Sequence, residues 1–199
     1  LTACEKNHIK KLIVASSAAV YEEGIPNVKL TEKSATSPIS PYGESKIKME
    51  EEIKEFKKKY DFDYIILRFF NIFGVGQSPE YAGVITKFIE SIKKNSSLKI
   101  NGNGKQTRDF ISVHDVVKSI QNSILKIEGK RGNIYNIGTG KQTSVNELAD
   151  IFSTILNKKL KIKDIEQQKG DIRDSYANID LAKKELDFNT EINLKEGLT

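Results

Sequence analysis

A tyrosine and a lysine that could act together in proton transfer stand in the segment SPYGESK, as Tyr42 and Lys46. Residues i and i+4 of a helix share one face, so the ammonium of Lys46 would lie near the phenol of Tyr42. A neighbouring positive charge stabilises the phenolate, which makes tyrosine usable as a base near neutral pH. The spacing also arises by chance in a chain with 7 tyrosines, so the surrounding elements must decide.

The elements around this pair have the pattern of a parallel α/β unit. Ser40 is a good N-cap and Pro41 suits the first helical position, which predicts a helix from there to Tyr60. The preceding segment KKLIVASS predicts a strand buried on both faces that ends in Ser16 and Ser17. Because strand residues alternate between faces, we expect Ser17 to face the site and Ser16 to face away from it.

A second apolar segment, DYIILRFFNIFG, predicts one buried strand that ends at Gly74. Strand, helix and strand in this order form a parallel βαβ unit, so the fold class is α/β. Ligands bind at the carboxyl edge of such sheets, where the serine hydroxyl is presented. Arg68, within the second strand, is expected to be a structural ion-pair partner rather than a ligand contact.

The rest of the chain continues with short strands and helices. EYAGVITKFIESIKKN and HDVVKSIQNSILKI predict helices, SLKINGNGKQTRDFISV predicts two short strands around a turn, and GNIYNIGTG predicts a strand before a glycine loop. Thr143 or Ser144 can cap the next helix, with Glu147 as a capping-box partner of Ser144. Asp180 is the expected cap of a last helix, IDLAKKEL.

Composition excludes several classes of protein. The 199 residues are 38% hydrophobic and 30% charged, with no apolar run long enough to span a membrane. The net charge of +5 is spread over lysines that alternate with glutamates, so no nucleic-acid surface is predicted. One cysteine, Cys4, argues for a reducing compartment, and two histidines provide no metal-ligand cluster. The glycine segments GNGKQT and GTGKQTS lack the spacing of a phosphate loop, and no dinucleotide fingerprint follows any strand.

Five motifs in order, VASSAAVY, SPYGESK, LRFFNIFG, GNGKQTRDFISVHDVV and YNIGTG, resemble the extended short-chain dehydrogenase/reductase family. The chain is most similar to its NAD-dependent nucleotide-sugar epimerases, of the UDP-glucose 4-epimerase type. The resemblance implies the C-terminal portion of a Rossmann-type parallel sheet plus a smaller α/β substrate-binding domain. Residues 1–75 with 110–138 would belong to the first domain, and residues 76–109 with 139–199 to the second. The glycine-rich N-terminal part would be missing, so this chain alone is expected to be inactive.

The same resemblance implies roles for individual residues. The catalytic residues would be Ser17, Tyr42 and Lys46. The residues that contact NAD would be Tyr42, Lys46, Phe69 and Phe70. The residues that bind the substrate would be Ser17, Asn71, Val84, Phe88, Arg108 and Arg173.

Some of these residues also have structural interpretations that the sequence leaves open. Arg108 and Arg173 could form surface salt bridges with the aspartates that follow them, and Asn71 could cap a loop. Ala18 and Ala19 stand where relatives that dehydrate or decarboxylate the sugar carry acidic or further polar residues. Neither alanine can move a proton, which favours simple oxidation and re-reduction.

The resulting expectation is NAD-dependent epimerisation of a nucleotide sugar at carbon 4, of the UDP-glucose/UDP-galactose type. Two alternatives stay open: another nucleotide-sugar epimerase or reductase of the same family, for a uronic acid or a GDP- or ADP-sugar, and a truncated, non-catalytic module that binds a nucleotide sugar or a protein. Whether the cofactor is NAD or NADP also stays open. The expected partners are a UDP-sugar and a second copy of the chain, bound through the helix that carries Tyr42 and Lys46. The expected location is the cytoplasm.

Overall fold

The computed structural model describes residues 1–77, 83–166 and 173–199. Its helices are α1 (Thr2–Lys6), α2 (Pro41–Lys59), α3 (Val84–Lys93), α4 (Val113–Lys126), α5 (Val145–Ile155), α6 (Asp180–Leu186) and α7 (Leu194–Gly197). Its strands are β1 (Lys11–Ser17), β2 (Asp63–Phe69), β3 (Asn71–Phe73), β4 (Leu98–Asn101), β5 (Thr107–Arg108), β6 (Phe110–Ser112), β7 (Arg131–Ile137), β8 (Thr143–Ser144), β9 (Ile162–Ile165) and β10 (Asp174–Ser175). A 3₁₀ turn at Ala18–Val20 follows β1.

Three parallel strands form the main sheet, in the order β1, β2 and β7. Tyr64 to Leu67 of β2 are buried because this strand lies between two neighbours. The expectation that β1 is buried on both faces is wrong. Apart from Ser16 its residues are half-buried or exposed, since among the described strands it has a neighbour on one side only. The parallel pairs and the helix that joins them confirm the predicted α/β class.

α2 begins where the sequence predicts. The Ser40 hydroxyl accepts a hydrogen bond from the Gly43 amide, and Pro41 is the first helical residue. Lysines fill the last turn, at the negative end of the helix dipole. The inner face of the helix packs on the sheet in a cluster of four buried residues, Ile53, Phe62, Tyr64 and Ile66.

The segment DYIILRFFNIFG does not form the single strand predicted for it. β2 ends at Phe69, and β3 begins at Asn71 in a different sheet, paired with β6. The Phe70 amide still donates to the carbonyl of Ile137 on β7, at 2.9 Å. The Asn71 amide donates instead to the carbonyl of Asp109, just before β6, at 2.9 Å. The single-strand prediction is wrong because an apolar run indicates burial but not the neighbour with which each residue pairs.

The segment after α3 forms three short strands, β4, β5 and β6, where two were predicted around a turn, and β4 and β5, on either side of the turn, do not pair with each other. β4 pairs in parallel with β9, and β5 lies between β8 and β10. Gly102 and Gly104, at φ of 60° and 69°, supply the left-handed backbone of the turn between β4 and β5. Because β6 pairs with β3, the segment contributes one strand to each of three small sheets.

Two large apolar clusters hold these elements together. The first is formed by β2 and β7 with residues of β6, α4 and α6, and residues 177–188 contribute to it. The second lies among α3, β4 and α5. Its buried members are Phe73, Ile85, Phe88, Leu98, Ile100, Phe110, Val145, Leu148, Ala149 and Phe152.

The helix caps follow the sequence in one case and differ from it in another. Ser144 and Glu147 form the predicted capping box at the start of α5. Asp180 is not the side-chain cap of α6; Asn178 Oδ1 accepts a hydrogen bond from the Asp180 amide instead. None of the described helices has the length and apolar character needed to cross a bilayer.

Candidate active site

A cavity of about 570 Å³ lies at the carboxyl ends of β1 and β2. Most of the residues predicted for the site line it. They are Ser17, Tyr42, Lys46, Phe69, Phe70, Asn71 and Val84. β1 and β2 run in register, so that Ser17 pairs with Phe69 and both strands end at the same edge of the sheet. This is the edge at which α/β sheets bind ligands.

Tyr42 and Lys46 lie on one face of the first turns of α2. The Lys46 ammonium is 5.7 Å from the centre of the Tyr42 ring. It also donates a hydrogen bond to the carbonyl of Ala15 on β1, at 2.9 Å. Tyr42 is 56% exposed, so its phenol is accessible from the cavity. The structure thus places an accessible phenol beside a cation that the sheet holds in position.

Gly43 lets α2 come this close to the sheet. A Cβ atom at this position would lie 2.2 Å from the carbonyl oxygen of Ala19, in the 3₁₀ turn after β1. A side chain is therefore excluded, and the residue before Gly43 is brought directly over the end of β1. That residue is Tyr42.

Ser17 and Ser16 face opposite ways, as predicted from strand alternation. The Ser17 Oγ accepts a hydrogen bond from the Ala19 amide at 3.1 Å and lines the cavity. A hydroxyl that accepts one bond still has a proton to donate to a ligand. The Ser16 Oγ is buried and donates to Glu50 Oε1 at 2.6 Å.

Arg68 forms the structural ion pair predicted for it. Its Nε and Nη2 atoms donate to the two carboxylate oxygens of Glu50, at 2.9 and 2.6 Å, and both side chains are buried. Burial alone would lower the pKa of Arg68. The hydrogen bond and charge of Glu50, together with Tyr21, raise that pKa above its ordinary value, so the guanidinium stays charged.

The two phenylalanines of the predicted cofactor site differ in exposure. Phe69 is half-buried at the end of β2, whereas Phe70 is 4% exposed and belongs to the first apolar cluster. The Phe70 ring centre is 6.4 Å from that of Tyr21. Phe69 therefore presents the more accessible ring to the cavity.

A second, smaller cavity of about 230 Å³ adjoins the first and shares Asn71, Gly83 and Val84 with it. Its lining includes three cations, Lys87, Lys99 and Arg108. The Arg108 guanidinium donates to the carbonyl of Thr107 at 2.8 Å. Three cations around one small cavity suit a ligand with two or more negative charges, such as a diphosphate.

Asp109, which follows Arg108, accepts hydrogen bonds from the loop after β7 and from Ala177. Asp109 is buried and accepts hydrogen bonds from the amides of Thr139, Gly140 and Ala177 and from the Thr139 hydroxyl, at 2.6 to 3.1 Å. Burial raises the pKa of the Asp109 carboxyl, and the bonds from Thr139 partly offset this. Asp109 joins β5 and β6 to the loop after β7 and so fixes the backbone that carries Arg108.

Arg173 lies farther from the first cavity. It lines a third cavity of about 310 Å³, which shares Asn101 and Gln106 with the second. Its side chain is 73% exposed and lies 3.9 Å from Asp174, so the salt bridge weighed from the sequence is present as a long, exposed contact. The cavities follow one another, with Tyr42 at one end and Arg173 at the other.

The structure does not bring Phe88 to the site. Its side chain is 1% exposed and packs in the second apolar cluster, with the ring centre 6.1 Å from that of Phe152. α3 turns Val84 towards the cavity and Phe88 into the core. Phe88 is therefore a packing residue that supports the wall of the cleft.

Sequence reasoning gave no ligand role to several polar residues that line the cavities, among them Gln77, Lys87 and Lys99. Lys87 occupies a polar position of an amphipathic helix, and Lys99 lies between two buried residues of β4. The alternation identifies both lysines as outward-facing, but it gives no sign that they face a ligand. Gln77 Oε1 accepts a hydrogen bond from the Thr86 hydroxyl at 2.9 Å, a contact that no motif predicts.

The cavity residues fit one end of a nicotinamide dinucleotide. Tyr42, Lys46 and Phe69 bring a hydroxyl, an ammonium and an aromatic ring to one wall, which suits a ribose and a flat heterocycle. The Lys46 ammonium has three donors, and Ala15 takes one of them. In residues 1–77, 83–166 and 173–199, no strand leads into a Gly-x-Gly-x-x-Gly helix start that would hold the pyrophosphate.

A family model described as the NAD dependent epimerase/dehydratase family matches residues 1–138. A protein of Methanocaldococcus jannaschii, provisionally named UDP-glucose 4-epimerase, is 41% identical over 201 residues. The UDP-N-acetylglucosamine 4-epimerase of Methanobrevibacter ruminantium, solved with UDP-N-acetylmuramic acid, is 38% identical with a TM-score of 0.87. The UDP-glucuronic acid 4-epimerase of Bacillus cereus, solved with UDP-glucuronic acid and NAD, is 27% identical with a TM-score of 0.91.

These matches cover nearly all of this chain but only part of each relative. The M. jannaschii match covers 100% of the chain and 64% of the relative. The two structures are matched over 99% of the chain and over 63% and 62% of their own lengths. The chain thus spans less than two thirds of the length of these relatives. The family model, which covers more than half of the chain, and the 41% identity lead to one conclusion. The chain belongs to the NAD dependent epimerase/dehydratase family.

Proposed function

We propose that the intact protein is an NAD-dependent nucleotide-sugar 4-epimerase. The observation that carries the proposal is the meeting of Ser17, Tyr42 and Lys46 at one cavity on the carboxyl edge of the sheet. Membership of the family and the epimerases among its relatives support the same reaction class. Tyr42, Lys46, Phe69 and Phe70 would hold the nicotinamide end of NAD.

In this mechanism Tyr42 takes the proton of the sugar 4-hydroxyl and later returns a proton to the same oxygen. Ser17 hydrogen-bonds that hydroxyl and orients it towards the phenol. Lys46 stabilises the phenolate, because its ammonium is held 5.7 Å from the ring. NAD held by these residues and by Phe69 and Phe70 would supply the hydride acceptor and donor that oxidation and re-reduction at carbon 4 require. Inversion follows when the 4-keto sugar turns in the cavity and presents its other face.

The residues around the cavity favour epimerisation over elimination of water. Elimination needs an additional acid and base near carbons 5 and 6 of the sugar. Ala18 and Ala19 cannot supply them. Of the described residues that line the cavity, only Lys46 carries a charge. Oxidation and re-reduction at carbon 4 need no further group.

For the substrate we propose the UDP-glucose/UDP-galactose pair or the corresponding N-acetyl pair. Arg108, with Lys87 and Lys99, would bind the diphosphate, and Asn71 would contact the sugar side of it. Arg173 and the third cavity would lie towards the nucleoside. A panel of UDP-, GDP- and ADP-sugars, including uronic acids, with products identified by NMR, tests this choice. Turnover of a uronic acid or a purine nucleotide sugar alone would replace the proposed substrate.

The decisive experiment is Tyr42→Phe in the intact protein, with UDP-glucose converted to UDP-galactose as the assay. Loss of a general acid/base is expected to lower kcat by about 10²- to 10⁴-fold. Tyr60→Phe is a matched control, because its buried hydroxyl has no hydrogen-bond partner among the described residues. Wild-type turnover in Tyr42→Phe would show that the mechanism is wrong.

A non-catalytic binding module is the alternative from a different class. Denaturation of the purified intact protein, followed by absorbance at 340 nm after enzymatic reduction, detects released NAD. An epimerase of this kind is expected to release NAD, whereas a module that only binds a nucleotide sugar is not. The released cofactor also distinguishes NAD from NADP.

Three further expectations remain part of the proposal. The intact protein would form a homodimer through α2, whose face opposite the sheet is exposed; sedimentation with Glu51→Arg and Glu52→Arg tests this. It would work in the cytoplasm, in keeping with its single cysteine. Residues 1–75 with 110–138 would act as the cofactor domain and the remainder as the substrate domain.

A further inference from the structure

Three polar side chains are buried between α2 and the main sheet. They belong to Ser16, Glu50 and Arg68, which are 3%, 0% and 2% exposed. Glu50 accepts from the Ser16 hydroxyl at 2.6 Å and from two guanidinium nitrogens of Arg68 at 2.9 and 2.6 Å. This buried triad connects three elements: β1, α2 and β2.

Stability alone gives a weak reason for the triad. Burying an ion pair costs desolvation, and packed apolar side chains of similar volume often stabilise a fold equally well. A two-pronged contact between guanidinium and carboxylate does something that apolar packing does not, because it is directional. It fixes both the rotation of α2 about its axis and its position along the sheet.

Each member of the triad is close along its own element to a candidate active-site residue. Ser16 precedes Ser17, and Arg68 precedes Phe69. Ser16 and Arg68 are paired in the parallel register, as are the next residues of the two strands. Glu50 lies one helical turn after Lys46, on the same face of α2.

The rest of the site depends on this anchoring. Tyr42 is 56% exposed, and the residues described here give its hydroxyl no hydrogen-bond partner. The position of the phenol in the cavity that it shares with Ser17 is therefore determined by where α2 lies. Besides the triad, the polar contacts of α2 with β1 include the bond from Lys46 to the Ala15 carbonyl.

We propose that Glu50 is a positioning residue for proton transfer: its carboxylate ties α2 to Ser16 and Arg68 and thereby sets the placement of Tyr42 relative to Ser17. The inference rests on the proposed epimerase function. Glu50 itself touches neither substrate nor cofactor.

The test uses the intact protein with UDP-glucose as substrate and compares Glu50→Gln with Glu55→Gln. Glu55 lies on the same helix but pairs with Lys58 at the surface, where its side chain is 68% exposed. Glu50→Gln is expected to lower kcat by about 10- to 100-fold with KM changed less than about threefold, since small misplacement of reacting groups costs rate. Glu55→Gln is expected to match wild type.

A double variant separates positioning from folding. Glu50→Leu with Arg68→Met removes both charges and keeps the volume, so its melting temperature should recover towards wild type. Its kcat should stay low, because the directional contact is gone. Recovery of both melting temperature and kcat would overturn the proposal.

A double-mutant cycle with Tyr42→Phe separates this inference from the proposed function. If Glu50 acts through Tyr42, adding Glu50→Gln to Tyr42→Phe should change kcat less than about threefold, whereas a loss of folded enzyme would add in full. If the effects of the two substitutions on kcat add in full, the positioning role of Glu50 is wrong, but the proposed mechanism is not affected. Wild-type turnover in Tyr42→Phe would instead contradict both the proposed mechanism and this inference.

Discussion

The two sides of the cleft are built in different ways. The side that carries Ser17, Tyr42 and Lys46 consists of two strands of 7 residues and a helix of 19, locked together by a buried ion pair. The side that carries Arg108 and Arg173 consists of strand segments of 2 residues and loop ends, with Arg173 exposed. Groups that exchange a proton need a fixed separation, whereas groups that hold a flexible diphosphate need charge and reach.

The largest expected effect is on the second apolar cluster. Phe88→Ala should lower the free energy of unfolding by about 3 to 5 kcal/mol, because it leaves a cavity beside Phe152. Phe88→Leu keeps most of the volume, and its KM for UDP-glucose should match wild type because the ring does not reach the cleft. Urea unfolding and steady-state kinetics measure the two effects. A raised KM in Phe88→Leu would show that Phe88 contributes to substrate binding after all.

The pH dependence of stability tests the packing of Tyr21, a buried tyrosine on the side of the cleft that carries Tyr42. Burial raises the pKa of Tyr21 to about 12 from 10.0, even though Arg68 lowers it. The unfolded chain therefore loses this proton at lower pH than the folded protein, so stability falls as pH rises from 10.0 to about 12. The two-unit difference corresponds to about 2 to 3 kcal/mol.

Tyr21→Phe removes this contribution to the pH dependence. The difference in unfolding free energy between wild type and Tyr21→Phe should shrink across the same pH interval, as measured by urea unfolding. Other tyrosines titrate in both proteins and cancel. A difference that stays constant with pH would show that Tyr21 is not a buried, protonated phenol.

On the binding side, Arg108→Ala should raise KM for the UDP-sugar by about 10- to 100-fold, with a smaller change in kcat. A hydrogen bond to a charged group contributes about 1.5 to 3 kcal/mol, and it is made before and during the reaction. Arg108→Lys should recover only part of the loss, since an ammonium cannot make a two-pronged contact. A fall in kcat at constant KM would show that Arg108 acts in the chemical step and not in substrate binding.

The smallest expected effect is at Arg173. Its contact with Asp174 is long and exposed, so Arg173→Ala should change the free energy of unfolding by at most about 1 kcal/mol. We expect KM to rise only a few-fold, and this is best measured at low ionic strength, where exposed charges are less screened. An effect as large as that of Arg108→Ala would give Arg173 an equal part in binding the diphosphate.

Features of nearby residues in the sequence predicted well the structure of the side of the cleft that carries Ser17, Tyr42 and Lys46. Ser40 and Pro41 indicated the start of α2, strand alternation separated Ser17 from Ser16, and the charge within an apolar run identified Arg68 as an ion-pair partner. Each of these inferences depends on residues close in sequence. The partner of Arg68 could not be named, because Glu50 is one of several glutamates on a helix and burial selects it.

The side of the cleft that carries Arg108 and Arg173 was harder to predict from the sequence. Its strands pair with distant segments, as β4 does with β9, so neither its sheets nor its cavities follow from local patterns. In the sequence, Lys87 and Lys99 cannot be distinguished from ordinary surface lysines. In the structure they line the same cavity as Arg108. Phe88 shows the opposite case, since its motif position suggested a ligand and its helical phase directs it into the core.

The close contact at Gly43 gives α2 a pivot. A rigid helix moves least beside the place where it is held most closely, and its displacement grows with distance from that place. Tyr42 is next to the pivot, whereas the end of α2 at Lys59 lies roughly 24 Å away at about 1.5 Å per residue. Displacements caused by substitutions or partner contacts at the exposed residues of the last turns are therefore damped at the phenol.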